Sequence, residues 1–333
     1  RSTNYRHAMA AHCESGTISG LLRHQGLELS EPMVLGISGA LFFGYFDSAR
    51  STAPLLAFRN RPGDIRKLAA KRLGLRFDAR TFRTPAKAQA ELDRLLEAGT
   101  PVGVQVDMFN MEYLPAYMRV HMNAHFVVVA GREGVEYVVS DCYYPELGRV
   151  SVHSMNAGRF ARGDFAPRGI IIRPLELPAS PDLTRAVREG IAHTCRYMTR
   201  LPVPVIGIKG IRTFAKRIND WPQRIKDEQY LSHCFMSINL SLEERGTGGA
   251  GFRFLYATFL QEASRAIGVD DLARLSREMM ENGDRWRDIS LAAARIGKKR
   301  DFSAPRIREL SELINGRADA EAKLFAELAR IVR

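Results

Sequence analysis

His12-Cys13-Glu14-Ser15-Gly16-Thr17-Ile18-Ser19-Gly20-Leu21-Leu22 decides the fold, because it sets a thiol at the head of an apolar, helix-like run. Ile18, Leu21 and Leu22 recur on one side of a helix expected over residues 13–27, with Gly26 as its stop. Cys13 then falls in the first helical turn. More than a hundred residues later the chain reads Asn123-Ala124-His125-Phe126-Val127-Val128-Val129-Ala130-Gly131, then Tyr137-Val138-Val139-Ser140-Asp141. These β-rich runs carry a histidine at the start of one strand and an aspartate at the end of another.

A thiol has an ordinary pKa near ~8.5 and needs help to attack at neutral pH; a helix N-terminus and an imidazolium both lower that value. The order Cys13, His125, Asp141 supplies the nucleophile, the base and its orienter, with Asp141 expected to hold the imidazole through Nδ1–H. The plain readings are a small buried hydrophobe for Cys13, a structural histidine at a strand rim for His125, and a turn residue for Asp141. We prefer the chemical reading because N–H groups left free at a helix start stabilise a thiolate and later an oxyanion.

Around this nucleus, Ser15 and Gly16 would let a substrate backbone approach closely, and His12 would contact substrate or partner, or simply cap or pack. Gln105, on the alternating run 101–107, is a candidate oxyanion or substrate donor, against the plainer reading of a solvent-facing strand residue. His121 and His125 are four apart, but no glutamate follows the first and a strand follows the second, so no metal site is expected. Gly246-Thr247-Gly248-Gly249 lacks the Lys-Ser/Thr of a phosphate-binding loop and follows no strand, so no nucleotide or other cofactor is expected. Arg253, at the start of the next helix, is placed to pair with a carboxylate or phosphate.

The 333 residues, 45% hydrophobic and 26% charged, describe a globular chain long enough for two domains. An α+β domain is expected over 1–175, with helices at 65–73 and 86–98 and strands at 102–106, 126–130, 135–139 and 169–173. Gly131-Arg132-Glu133-Gly134 would connect the middle pair, while 31–46 reads either as a tightly packed helix or as a turn and a buried strand. Pro174, Pro178 and Pro181 mark a linker over 173–182. An all-α domain is expected over 176–333, with helices at 183–200, 210–221, 226–242, 252–267, 270–290, 306–314 and 318–332.

Four cysteines without a CxxC pair fit a reducing, cytoplasmic setting. No apolar run approaches the ~20 residues needed to span a bilayer, so no membrane insertion is expected. The opening Arg1–Arg6 is polar, unlike a signal peptide, and the absence of an initial Met reads as a trimmed start. Net charge is +12, with Lys+Arg against Asp+Glu at 22 to 16 before residue 176 and 27 to 21 after it. So even a spread suits an acidic protein partner better than nucleic acid. Lys209, Arg212, Lys216, Arg217, Arg224 and Lys226, with Phe214 and Trp221 as anchors, form either a solvated basic face or a docking surface for an acidic carrier.

The His12-Cys13-Glu14-Ser15-Gly16 segment with its Leu-rich helix, Gly36-Ile37-Ser38-Gly39, and His125-Phe126-Val127-Val128-Val129-Ala130-Gly131 leading to Asp141 resemble the N-terminal domain of the butirosin biosynthesis protein H family. The helical half, with Gly246-Thr247-Gly248-Gly249 and Phe252-Arg253, is similar to the domain of unknown function usually joined to it. The resemblance covers nearly the whole chain, although the His-hydrophobic-Gly motif is shared with many papain-like enzymes, including peptidases. It implies a papain-like fold, an antiparallel sheet packed on an N-terminal helix, in a bacterial enzyme of antibiotic or other specialised metabolism. It also implies transfer of an acyl group from the phosphopantetheine thioester of an acyl carrier protein to a small-molecule amine, or to a hydroxyl. Cys13 would carry the acyl group, His125 would move the protons, and Asp141 would orient His125. A cysteine peptidase or amidase, and a non-catalytic carrier-binding module, stay open as alternatives. So does the oligomeric state, a dimer included.

Overall fold

The computed structural model describes residues 4–47 and 54–333. In chain order the first elements are α1 (Cys13–His24), α2 (Glu31–Ser38), β1 (Leu41–Phe46), β2 (Leu55–Arg59), α3 (Asp64–Leu73), β3 (Arg76–Arg80), α4 (Pro85–Glu97) and β4 (Val102–Val106). Next come β5 (His125–Glu133), β6 (Glu136–Ser140), β7 (Leu147–Ser151), α5 (Val152–Arg159) and β8 (Ile171–Glu176). The remainder is helical: α6 (Leu183–Thr199), α7 (Gly207–Arg217), α8 (Trp221–Arg224), α9 (Glu228–Asn239), α10 (Arg253–Ile267), α11 (Asp270–Lys299) and α12 (Ala304–Ile331). Two compact units result, one of Arg1–Val34 and Pro62–Pro181, the other of Leu35–Arg61 and Asp182–Arg333.

The first unit is built on an antiparallel sheet in the order β3-β8-β4-β5-β6-β7. Alternation along β4 sends Val102, Val104 and Val106 to one face, where they join Val127, Val129, Val139 and Ile171 under Leu92, Leu95 and Leu96 of α4. The opposite face receives α1. Gly103 makes that approach possible, since a Cβ there would lie 3.0 Å from Cδ1 of Leu21. This is an α+β arrangement of an N-terminal helix on an antiparallel sheet.

The 131–134 connector is corrected. β5 continues through Gly131 to Glu133, because a bulge between Val129 and Gly131 restores the register, and the turn contracts to Gly134 and Val135. The strand expected at 169–173 runs instead to Glu176, with Pro174 set opposite Phe77 on β3. A linker starting at 173 would cut through it.

The second unit is helical from residue 183 onward but is not all-α. It also holds the two-stranded ribbon of β1 and β2, so a single cut at 175/176 does not describe the units. The stretch 31–46 is both of the forms considered: α2 ends before Gly39 at φ 67°, and β1 follows. Phe43 of β1 packs within this unit against Phe58, Phe214 and Trp286. That aromatic core ties the ribbon to the helices. The expected helices at 306–314 and 318–332 are one continuous α12, in which Gly316 meets no neighbour within 4 Å.

Candidate active site

α1 begins at Cys13, with His12 as its N-cap in extended conformation and no side-chain cap of its own. Glu31 instead anchors the turn that leads into the helix. Its carboxylate accepts the Ala11 and His12 N–H groups at 2.8 and 2.9 Å and the Ser15 hydroxyl at 3.0 Å. Burial pushes the Glu31 carboxyl up, and these three hydrogen bonds act against that rise. The turn carrying the thiol is thereby held at its start. Cys13 is 3% exposed, and its Sγ lies 3.7 Å from the Ala124 carbonyl oxygen.

β5 and β6 bring the other two groups to the same place. Their antiparallel register sets Val128 opposite Ser140, which carries His125 and the residues after Ser140 to one end of the sheet. His125 Nε2 and Asp141 Oδ2 are 2.6 Å apart, and both side chains are fully buried. Asp141 also accepts the Tyr113 hydroxyl on Oδ2 at 2.8 Å and the Tyr143 N–H on Oδ1 at 3.0 Å. Burial pushes the Asp141 carboxyl up, but His125 and these donors outweigh it and hold the group below the usual carboxylate range.

Asp141 therefore grips Nε2, and the expectation of an Nδ1 contact is corrected: the ring enters from the head of β5 with Nε2 toward the end of β6. Nδ1 is buried with no hydrogen-bond partner, and after Asp141 the Cys13 thiol is the group that raises the ring's pKa. Nδ1 is thus the nitrogen left to exchange a proton with sulfur. Burial would lower the His125 pKa, but the Asp141 charge and hydrogen bond, with a smaller effect of Cys13, push it up to about 10. A buried imidazolium beside a thiol suits nucleophilic attack and proton return. By contrast, burial pushes up the thiols of Cys142, Cys195 and Cys234, leaving them poor nucleophiles.

The remaining candidates separate. His12 is buried at the helix start, and the Ser15 hydroxyl is committed to Glu31. Gly16 serves packing, for a Cβ there would lie 2.6 Å from that of Ala10. Gln105 Nε2 donates to the Asn123 and Phe165 carbonyls at 3.0 and 2.7 Å, tying down the segment just before His125. It is a brace rather than an oxyanion donor. Arg253 belongs to the second unit, wholly buried and paired with Glu321 at 2.7 and 3.1 Å. Its expected role toward a substrate is corrected, because both partners are internal and the guanidinium meets no solvent.

A cavity of about 680 Å³ opens beside Ala124, lined among others by Asp107, His121, Asn123, Arg162 and Asp164. His121 is turned to Asp107, 2.8 Å away. Among the described residues no group of three or more His, Cys, Asp or Glu side chains is placed to hold a metal ion, and no helix is long and apolar enough to cross a membrane. Sequence reasoning missed Glu31, Tyr113 and Tyr143. Tyr143 alone had a visible signal, an aromatic residue two places after Asp141.

Comparison with known proteins finds that residues 12–142 match the family described as butirosin biosynthesis protein H, N-terminal, and residues 153–328 match a domain of unknown function, DUF4872. No curated protein matches the chain. Among solved structures, one described as a C39-like peptidase from Bacillus anthracis is 14% identical, over 52% of this chain and 96% of that one, with a TM-score of 0.36.

Proposed function

Since the chain belongs to the family that joins a butirosin biosynthesis protein H N-terminal domain to the DUF4872 domain, we propose that it is a cysteine acyltransferase of specialised-metabolite biosynthesis. It takes an acyl group from an acyl carrier protein and passes it to an amine. The observation that carries this reading is the buried His125–Asp141 pair at 2.6 Å, with Nδ1 unpartnered and the Cys13 Sγ 3.7 Å from the carbonyl of the preceding Ala124.

In the first half-reaction Cys13 Sγ attacks the carrier thioester, the carbon–sulfur bond to phosphopantetheine breaks, and the released thiol leaves with a proton supplied by His125. In the second, the amine attacks the acyl-Cys13 carbonyl, His125 takes its proton, and Cys13 returns to the thiol as the amide departs. An amine must be neutral to attack, so His125 serves this step in its basic form. The 680 Å³ cavity beside Ala124, with the exposed Asp164 carboxylate in its lining, supports an acceptor site for a polar amine-bearing molecule.

Two further features support the reading. Lys209, Lys216, Arg217 and Lys226 are exposed along a stretch whose Phe214 and Trp221 are buried, a basic segment suited to an acidic carrier. The near-complete burial of Cys13 and His125 keeps water from the acyl-enzyme, which favours aminolysis over hydrolysis.

The test is to incubate the protein with acyl carrier thioesters, map any acyl adduct by intact mass and peptide analysis, then add amines. An adduct on Cys13 that yields amide supports acyl transfer, while free acid alone assigns the chain to the hydrolases. Activity unchanged in Cys13→Ala removes the enzyme reading, and carrier binding with no adduct leaves a docking module.

A further inference from the structure

The Tyr143 hydroxyl accepts the Cys13 backbone N–H at 3.1 Å. Cys13 opens α1, so this N–H has no acceptor within the helix, and it is the donor that a carbonyl oxygen of an acyl group on Sγ requires. The Tyr143 ring is stacked on that of His125, with centroids 5.3 Å apart and planes inclined by 26°. At its backbone, Tyr143 donates to Asp141 Oδ1 at 3.0 Å. One residue therefore touches the nucleophile, the base and the orienting carboxylate.

Resting on the reading of Cys13 as nucleophile, we propose that Tyr143 is the stopper of the oxyanion subsite. Its hydroxyl holds, in the resting protein, the place that the substrate carbonyl oxygen takes during attack, and productive binding exchanges one oxygen for the other. Two oxygens cannot both lie in good geometry along one N–H, so Tyr143 must move before an acyl group can be stabilised. Its segment, between β6 and β7, is a loop, and that is where such a movement is absorbed. A ligand that brings no oxygen to the Cys13 amide does not displace the phenol.

The test uses the full chain and an aliphatic aldehyde, hexanal. Sγ attacks the aldehyde carbon, the C=O π pair moves to oxygen, and the thiol proton passes through His125 to that oxygen. The hemithioacetal needs no further reactant, and its oxygen competes with the Tyr143 hydroxyl for the Cys13 N–H. Tyr143→Phe keeps the ring and removes the competitor. Its hexanal dissociation constant should fall by about 3–10-fold, the equivalent of one net hydrogen bond, after normalisation to the rate of Cys13 alkylation by iodoacetamide. Alkylation reports thiolate reactivity and sets no oxyanion at the amide.

A normalised affinity that drops overturns the proposal, since the hydroxyl would then donate to the bound oxygen. An unchanged affinity overturns it as well, because the hydroxyl would only fill space. Should Tyr143→Phe fail to fold, unaltered protein labelled with fluorotyrosine gives the same decision: the Tyr143 fluorine signal moves when hexanal binds, and a stationary signal refutes displacement. No carrier thioester is involved. A chain that shows the hexanal effect but takes no acyl group keeps the stopper and loses the acyltransferase reading, whereas acyl-Cys13 without the hexanal effect does the reverse.

Discussion

At the scale of single residues, the first attack by Cys13 depends on a charged His125 in the resting protein, and Asp141 is what holds that charge. Burial alone would depress the imidazole, and the carboxylate reverses this. Asp141→Asn keeps the shape but removes the charge, so His125 should titrate below its ordinary range. Alkylation of Cys13 by iodoacetamide at neutral pH should then slow by about a hundredfold, the lower end of what a general base contributes. Imidazole NMR titration with the alkylation rate checks both halves. An unchanged rate would mean that the thiol draws nothing from the pair. Tyr113 and the Tyr143 amide complete the carboxylate's hydrogen bonds, which fixes its orientation without adding charge.

At the scale of elements, the site exists because α1 lies close against both the sheet and the chain preceding it. Gly16 is a close backbone-side approach: its missing side chain leaves room for Ala10, whose N–H donates to the Cys142 carbonyl at 3.2 Å. Gly16→Ala should force α1 away from that segment at a cost of about 1–3 kcal/mol, the usual range for overpacking. Denaturant unfolding measures the loss. If the cause is the contact itself, the double substitution Ala10→Gly with Gly16→Ala should recover most of it. A double variant as unstable as the single would place the cost elsewhere.

At the scale of the whole molecule, stability rests on buried charge as well as apolar packing. In the second unit Glu321 accepts from Arg253, Asn282 and Trp286, and the Arg253 guanidinium lies 5.6 and 5.5 Å from the Phe58 and Trp286 ring centroids. Arg253→Met would leave the Glu321 carboxylate buried and uncompensated, costing about 3–5 kcal/mol. The remaining folded protein should keep its Cys13 alkylation rate. A changed rate in that fraction would return Arg253 to the candidate site residues.

The same groups set the pH range of stability. Burial would raise Glu321 and Asp141, but their partners hold both low, so their contributions are present above the ordinary carboxylate range and fade as pH falls below it. His125 has the opposite sign: its contribution is complete below its ordinary 6.5 and is lost as pH rises through about 10. The His125–Asp141 interaction enters both limits and is a single interaction. Thermal midpoints should therefore peak between about pH 5 and 6.5, with a smaller alkaline decline in Asp141→Asn. An equal decline in the variant would assign it to other groups.

The sequence by itself determined the elements whose cause is local. Apolar spacing and Gly26 mark α1, alternation marks β4, and a turn glycine marks the end of α4, whereas 31–46 stays open between helix and strand. It also brought out Cys13, His125 and Asp141, because a thiol at a helix start and polar residues at strand ends are visible in one dimension. Charged, short β3 and exposed β7 lack that pattern and pass unseen, since their pairing with β8 and β6 rather than their own composition makes them strands. Tertiary structure alone decided that β1 and β2 join the second unit, that Arg253 is internal, that Nε2 rather than Nδ1 meets Asp141, and that Glu31 and Tyr143 reach the Cys13 turn. Each is a contact between distant parts of the chain, where burial and geometry choose the partner and no local pattern records it.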